Sequence, residues 1–183
     1  MEISEALEQE TAFILIGSLT ARERDSLSET WHVLVKYCDI DPIEPFELPI
    51  RGLSLLAIPT DPREALSKMA QVVVNSQFQF RYSKTFTPID HLTKSSLDEI
   101  VTALQEPMLK VPEDSTWRIR LQRRHTKLSR SKIISAIANS PNAPKGEVDL
   151  GNAQWDILVE VFGEWTGLTV TPRGAILRIH NHQ

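Results

Sequence analysis

Short apolar runs alternate with helical patterns in the first ninety residues. Residues 11–17 and 53–58 are rich in aliphatic and β-branched side chains and are bounded by turn-forming residues, which is typical of buried strands. Residues 78–87 return to an extended pattern. These three segments predict three strands of one sheet.

Two helices are predicted between these strands. A Ser/Thr-x-x-Glu capping box at Thr20–Glu23 opens the first, and apolar side chains at helical intervals extend it to Tyr37. Asp61 and Pro62 open the second, and residues 39–49, with three prolines, are interpreted as a loop. Strand, helix, strand, helix, strand over this length predicts an α+β domain of the split βαβ, ferredoxin-like type.

The pattern then starts again and predicts a second α/β module. Ser96–Glu99 repeats the capping box at the head of a helix that ends before Pro107, and Trp117–Leu121 alternates apolar with basic positions, as in a half-buried strand. The remaining elements are, in chain order, a helix from near Ser129, a strand over 155–162, a turn over 163–167, and strands over 168–170 and 175–179 that close the sheet. We therefore expect two domains, 1–80 and 81–183.

Charge is divided unevenly between these two domains. The formal net charge of the 183-residue chain is -4, but residues 1–80 hold 6 basic and 13 acidic side chains, whereas residues 81–183 hold 14 and 11. Residues 115–146 contain eight Lys or Arg and no acid. Such a segment indicates either a polyanion partner or a basic solvated surface, and charge alone does not decide between them.

Composition excludes several classes of protein. A content of 41% hydrophobic and 24% charged residues is that of an ordinary globular protein, and no apolar run approaches the roughly 18–20 residues that span a bilayer. Residues 1–10 carry four glutamates and no Lys or Arg, the opposite of a secretory signal. The single cysteine, Cys38, lies on the apolar face of the first helix and is interpreted as a packed thiol. We expect a cytoplasmic protein with no membrane partner.

Motifs of catalysis do not occur in the sequence. It contains no Gly-rich phosphate loop, no G-x-S-x-G and no H-E-x-x-H, and its five histidines do not pair at metal-ligand spacing within an element. Glu160 and Glu164 flank a turn and are interpreted as solvated strand ends. We therefore expect no catalytic residues, no metal, no cofactor and no enzymatic activity in this chain.

Candidate chemistry concentrates at the start of the helix near Ser129. Arg130 and Lys132 fall in its first turn, where the helix dipole disfavours cations by about 0.3–1 kcal/mol each. A phosphate bound by main-chain N–H groups, hydroxyls and cations would offset that cost. The residues expected at this site are Arg123, Arg124, His125 and Lys127 from the preceding loop, and Ser129, Arg130, Ser131 and Lys132 from the helix start. A solvated basic loop is the alternative interpretation.

Residues 81–171 resemble a THUMP domain. The motifs that carry the resemblance follow the family's order: the lead-in Phe80–Ile89 with its Thr-Pro-Ile ending, Glu106–Lys110, the strand Trp117–Leu121, the basic segment Arg123–Lys132, Val148–Leu150, and the strand Trp155–Val161. The family often has Asn-Pro-Asp after Val-Asp-Leu, whereas residues 151–154 here are Gly-Asn-Ala-Gln. The resemblance also implies that the first eighty residues form the ferredoxin-like domain that accompanies THUMP domains.

This resemblance implies tRNA binding. THUMP domains occur in 4-thiouridine synthetases, tRNA methyltransferases and pseudouridine synthases, and the present chain looks most like the stand-alone adaptors that help a tRNA cytidine acetyltransferase form N4-acetylcytidine. The site residues named above would then contact phosphates, with Arg81 and Lys84 extending the surface. Two alternatives stay open: a tRNA-modifying enzyme subunit of another type, for thiolation, methylation or pseudouridylation, and a protein-interaction module with a basic face.

Overall fold

The chain forms two units, and the second is inserted into the sequence of the first. The computed structural model describes residues 1–9 and 11–180. Of these residues, those up to Asp90 together with 174–180 make up the first unit, and His91–Arg173 makes up the second. Both units mix helices with strands, and the α+β class expected from the sequence is confirmed.

The elements of the described residues are as follows. The helices are α1 (Ile3–Leu7), α2 (Glu23–Cys38), α3 (Pro62–Val74), α4 (Leu97–Met108) and α5 (Arg130–Ala138). The strands are β1 (Ala12–Ser18), β2 (Glu44–Glu47), β3 (Leu53–Ile58), β4 (Ser83–Ile89), β5 (His91–Lys94), β6 (Trp117–Arg124), β7 (Trp155–Phe162), β8 (Trp165–Pro172) and β9 (Leu177–Arg178).

The first unit contains a five-stranded sheet in the order β2-β3-β1-β4-β9, with every neighbouring pair antiparallel. The succession β1-α2-β2-β3-α3-β4 on this sheet is the ferredoxin-like, split βαβ arrangement. Strand β2 lies within residues 39–49, so the interpretation of that whole segment as a loop is wrong. Pro45 obscured the strand in the sequence, but β2 is an edge strand, where a missing N–H is tolerated.

Helices α2 and α3 pack on one face of this sheet. Their apolar side chains enclose strand residues that include Ile14, Ile16, Leu56 and Phe86. Cys38 lies in the same core, where burial raises the pKa of its thiol, in agreement with the packed thiol that the sequence predicts.

The start of α2 differs from the predicted capping box. The helix begins at Glu23 rather than just after Thr20, because Ala21 adopts a left-handed conformation with φ of 65°. The Glu23 carboxylate accepts hydrogen bonds from the main-chain N–H groups of Gly52, at 2.6 Å, and Ala21, at 3.3 Å. These hydrogen bonds, of which that from Gly52 has the largest effect, hold the pKa of the Glu23 carboxyl below its ordinary value. The acid of the motif therefore ties α2 to the turn before β3.

A buried carboxylate joins α2 to the beginning of β4. Glu29 accepts hydrogen bonds from the main-chain N–H groups of Arg81, Tyr82 and Ser83 at 2.8, 3.0 and 2.8 Å, and from the Ser83 hydroxyl at 2.8 Å. The Ser26 hydroxyl lies 2.6 Å from that of Ser83. Residues 81–90, which the sequence assigned to the second domain, lie in the first unit, where β4 pairs with β1.

The second unit contains a four-stranded sheet in the order β5-β8-β7-β6. Strands β6 and β7 are parallel and connected through α5, whereas β7 and β8 form an antiparallel hairpin. Ser96 caps α4 as predicted, accepting from the Glu99 N–H at 3.2 Å. The predicted strand over 175–179 does not close this sheet, because β9 pairs with β4 in the first unit. The turn predicted over 163–167 is only two residues long, since β8 already begins at Trp165.

Helices α4 and α5 cover one face of the second sheet. Their core partners on the strands include Leu121, Ile157, Val159 and Leu168. The segment that leads from α5 to β7 is tied to Trp117, whose indole N–H donates to the carbonyl of Gly146 at 2.9 Å and whose main-chain N–H donates to that of Glu147 at 3.1 Å.

Gly146 lies too close to neighbouring backbone to carry a side chain, because a Cβ there would be 2.0 Å from the Ser115 carbonyl oxygen. We expect Gly146→Ala to lower the free energy of unfolding by about 1–3 kcal/mol, since the backbone must shift to relieve the overlap. Urea denaturation measures this change. Gly151→Ala is the matched control, because a Cβ at Gly151 would meet nothing closer than 3.9 Å. Equal urea midpoints for the two variants would contradict the prediction.

Candidate nucleic-acid interface

The basic segment lies where β6 ends and α5 begins. After Arg124, His125 adopts a left-handed conformation with φ of 51° and turns the chain out of the strand. Leu128 donates its main-chain N–H to the Thr126 hydroxyl at 3.1 Å, which shapes the turn. The cap of α5 is Ser129, whose hydroxyl accepts from the Lys132 N–H at 3.3 Å. The helix therefore begins where the sequence predicts.

The first turn of α5 presents donors and positive charge together. It contains Arg130 and Lys132 and no acidic residue. The main-chain N–H groups of Arg130 and Ser131 have no acceptor among the described residues. The Ser129 and Ser131 hydroxyls lie 2.9 Å apart at the same end. Such a terminus combines a positive dipole end with free N–H groups, which is the arrangement that binds anions.

Four cations around this terminus have no counterion within the described residues. Lys127 and Lys132 are exposed and make no side-chain hydrogen bond or ion pair there. The guanidinium of Arg123 donates to the Leu128 carbonyl at 2.8 Å, and that of Arg130 donates to the Leu121 carbonyl at 3.0 Å. A neutral carbonyl positions a guanidinium without cancelling its charge. We call Arg123, Lys127, Arg130 and Lys132 the α5 cation cluster.

Arg124, unlike these four cations, has a carboxylate counterion. Its guanidinium forms an ion pair with Glu160 at 2.9 Å, and the Glu160 side chain is only 8% exposed. The interpretation of Glu160 as a solvated strand end is therefore wrong, because β7 lies in the interior of the sheet. Arg124 serves as the counterion of a buried carboxylate, and this role leaves little of its charge for a ligand.

Sequence reasoning also missed the pairing of Arg118. Its guanidinium bonds the Asp156 carboxylate at 2.7 Å and the Leu150 carbonyl at 3.0 Å. The basic positions of β6 were visible in the sequence, but their partners on β7 are nearly forty residues away and depend on which strands are neighbours.

The remaining expected site residues are distributed as follows. His125 is exposed at the turn and makes no side-chain hydrogen bond within the described part of the chain. Arg81 and Lys84 are exposed but belong to the first unit, where Lys84 lies on β4. Their contribution to a common surface stays a prediction.

Residues 1–9 and 11–180 contain no cluster of three or more His, Cys, Asp or Glu side chains able to hold a metal ion. No helix in this part of the chain combines the length and apolar character needed to cross a membrane.

Comparison with known families identifies the second unit. Residues 93–171 match the model of the THUMP domain family, so the THUMP domain predicted from the sequence is confirmed. The matched segment contains β6, the turn and the α5 cation cluster. Among curated proteins, none is similar enough in sequence to match.

Solved structures of similar fold cover most of this chain. PH1313 from Pyrococcus horikoshii Ot3 has a TM-score of 0.59 at 16% identity, covering 91% of this chain and 55% of that one. TrmN from Thermus thermophilus has a TM-score of 0.51 at 16% identity, covering 87% and 45%. A predicted N6-adenine-specific DNA methylase from Listeria monocytogenes str. 4b F2365 has a TM-score of 0.50 at 12% identity, covering 93% and 42%. The chain thus spans about half the length of these proteins, and the likeness is one of fold.

The cap of α5 can be tested apart from any ligand. Ser129→Ala removes the acceptor of the Lys132 N–H, and we expect the free energy of unfolding to fall by about 1 kcal/mol. Ser129→Asp should restore it, because a carboxylate caps equally well and suits the helix dipole. Ser131→Ala is the control, since it leaves the cap bond intact. If Ser129→Ala and Ser131→Ala melted alike, Ser129 would not be the cap.

Proposed function

We propose that this chain is a non-catalytic tRNA-binding adaptor that presents tRNA to a modifying enzyme. The observation that carries the proposal is the α5 cation cluster, which surrounds a helix terminus with free N–H groups inside a THUMP domain. Phosphate groups of a nucleic-acid backbone match both features, because they are anionic and accept several hydrogen bonds at once. The family resemblance favours tRNA as the nucleic acid.

The attraction expected here is local rather than a property of the whole unit. Residues 91–173 hold 11 basic and 10 acidic side chains, so the net charge of the second unit is close to zero. Affinity must therefore arise from local groups of uncompensated cations such as the α5 cation cluster, whose attraction for a phosphate falls off within about 10 Å at ordinary ionic strength. Recognition of this kind positions a backbone and carries little sequence information.

We assign the chemistry to a partner enzyme, for which a tRNA cytidine acetyltransferase is the leading candidate. The resemblance to the THUMP adaptors of tRNA acetylation favours this enzyme, which would carry acetyl-CoA and ATP. The first unit holds 9 basic and 14 acidic side chains and would offer a docking face to a basic protein. The adaptor would contribute by holding the substrate in position, which lowers a barrier without a reactive group.

Charge reversal at the start of α5 should separate binding from folding. The double variant Arg130→Glu with Lys132→Glu should abolish tRNA binding, while its stability stays close to that of the wild type. The reason is that both glutamates favour the helix dipole and Glu at 132 completes a capping box with Ser129.

Fluorescence anisotropy with tRNA at several salt concentrations measures the effect, and urea denaturation serves as the folding control. Four phosphate contacts predict a slope of log K against log salt of about -2.8 to -3.6, and each further contact adds about 0.7–0.9. Unchanged affinity in the double variant, or a wild-type slope near zero, would rule out the α5 site.

Reconstitution tests the adaptor role itself. The chain would be incubated with tRNA, acetyl-CoA and ATP, with or without a tRNA cytidine acetyltransferase, and the nucleosides analysed by mass spectrometry. We expect no N4-acetylcytidine from the chain alone and more from the enzyme with the chain than without it. The charge-reversal variant should lose this stimulation. Modification by the chain alone would show that it is an enzyme, and a lack of stimulation would exclude this partner.

A further inference from the structure

Strand β6 presents basic side chains on the face of the sheet opposite α4 and α5. Because side chains alternate along a strand, Arg118, Arg120 and Arg124 share this face, whereas Leu121 points to the helices. In the parallel register with β7, Arg118 lies opposite Asp156 and Arg120 lies opposite Leu158. Strand β7 therefore places an acid beside Arg118 but an aliphatic side chain beside Arg120.

Arg120 is the member of this row without a counterion. Arg118 and Arg124, on either side of it, bond to Asp156 and Glu160 at 2.7 and 2.9 Å. Arg120 makes no side-chain hydrogen bond and no ion pair within the described part of the chain, although it is half-buried. A guanidinium that is partly withdrawn from water without an acceptor is unfavourable, and an anion from outside the chain would relieve that cost.

The position of Arg120 in the sheet is close to the α5 cation cluster. Strand β6 is the edge strand, and beyond the single bridge between Trp117 and Val148 it pairs only with β7. The Arg130 guanidinium reaches this strand, since it donates to the carbonyl of Leu121, the residue after Arg120. Along the strand, Arg120 and Arg123 are about 10 Å apart, at roughly 3.3 Å per residue. Uncompensated cations therefore lie close together on both faces of the sheet along its β6 edge.

We propose that Arg120 is a further phosphate-binding residue and that the RNA backbone crosses the free edge of β6. One phosphate meets Arg120 at the β6 edge on the face opposite α4 and α5, and its neighbours meet the α5 cation cluster on the helix side. This inference rests on the proposed tRNA-binding function and adds a contact that lies outside the basic loop and helix start. Five contacts then predict a wild-type salt slope of about -3.5 to -4.5.

Single charge removals in the full chain test the assignment, with one elongator tRNA transcript as the probe. Arg120→Gln should weaken binding about four- to sixfold near 0.15 M salt and reduce the magnitude of the slope by about 0.7–0.9. Arg120→Lys keeps the charge and should keep the slope. Lys145→Gln is the matched control, because Lys145 belongs to the same unit and already pairs with Glu113. Urea denaturation verifies that each variant is folded.

Lys132→Gln in the same series separates the two levels of the proposal. Reduced slopes for Arg120→Gln and Lys132→Gln, with an unchanged slope for Lys145→Gln, would support the crossing of the β6 edge. A reduced slope for Lys132→Gln alone would overturn the role of Arg120 and leave the proposed function standing. Wild-type slopes for both variants would overturn the proposed function and this inference with it. An equal loss for Lys145→Gln would show that only overall charge matters, which also overturns the inference.

Discussion

The parallel pairing of β6 with β7 is the constraint on which the candidate site depends. It brings the buried carboxylates of Asp156 and Glu160 beside a strand rich in arginine, and each carboxylate takes one guanidinium as its counterion. Leaving either acid unpaired in the interior would cost several kcal/mol, so Arg118 and Arg124 are held to the sheet. The same pairing sets where β6 ends, and thereby where the turn and the first turn of α5 lie. Which cations remain for a ligand is a consequence of this register.

In the second unit, which is the THUMP domain, the positive charge available to a ligand depends on where the cations lie and not on an excess of cations over acids. With nearly equal numbers of acids and bases, the unit has no strong net attraction for a polyanion. Two of its acids are turned inward and neutralised, whereas the α5 cation cluster surrounds a helix terminus free of acids. A surface of this kind attracts a phosphate over short distances and is strongly screened by salt.

The first unit is organised around a different buried charge. Glu29 accepts hydrogen bonds from the main chain at the beginning of β4, and β4 pairs with β1 in the ferredoxin-like sheet. Strand β9 returns after the THUMP unit and pairs with β4. The second unit is therefore joined to the first by two chain connections, one at each of its ends. A family resemblance that begins at residue 81 does not reveal this boundary between the units. Its lead-in motif, Phe80–Ile89, lies in the first unit, whereas the rest of the matched motifs lie in the second.

Local chemistry allowed the sequence to determine much of this protein. The cap at Ser129, the cap at Ser96, the alternation of β6 and the start of α3 at Asp61 and Pro62 all follow from side chains a few residues apart, which act on the nearest backbone. The THUMP motifs and the residues of the α5 cation cluster could be recognised from the sequence because the residues of each lie close together along the chain. Tertiary structure alone decided that β2 is a strand, that β9 belongs to the first sheet, and that Arg124 is compensated while Arg120 is not. Each of these outcomes depends on which strands are neighbours and in what register, and the partners that set them lie far apart along the chain.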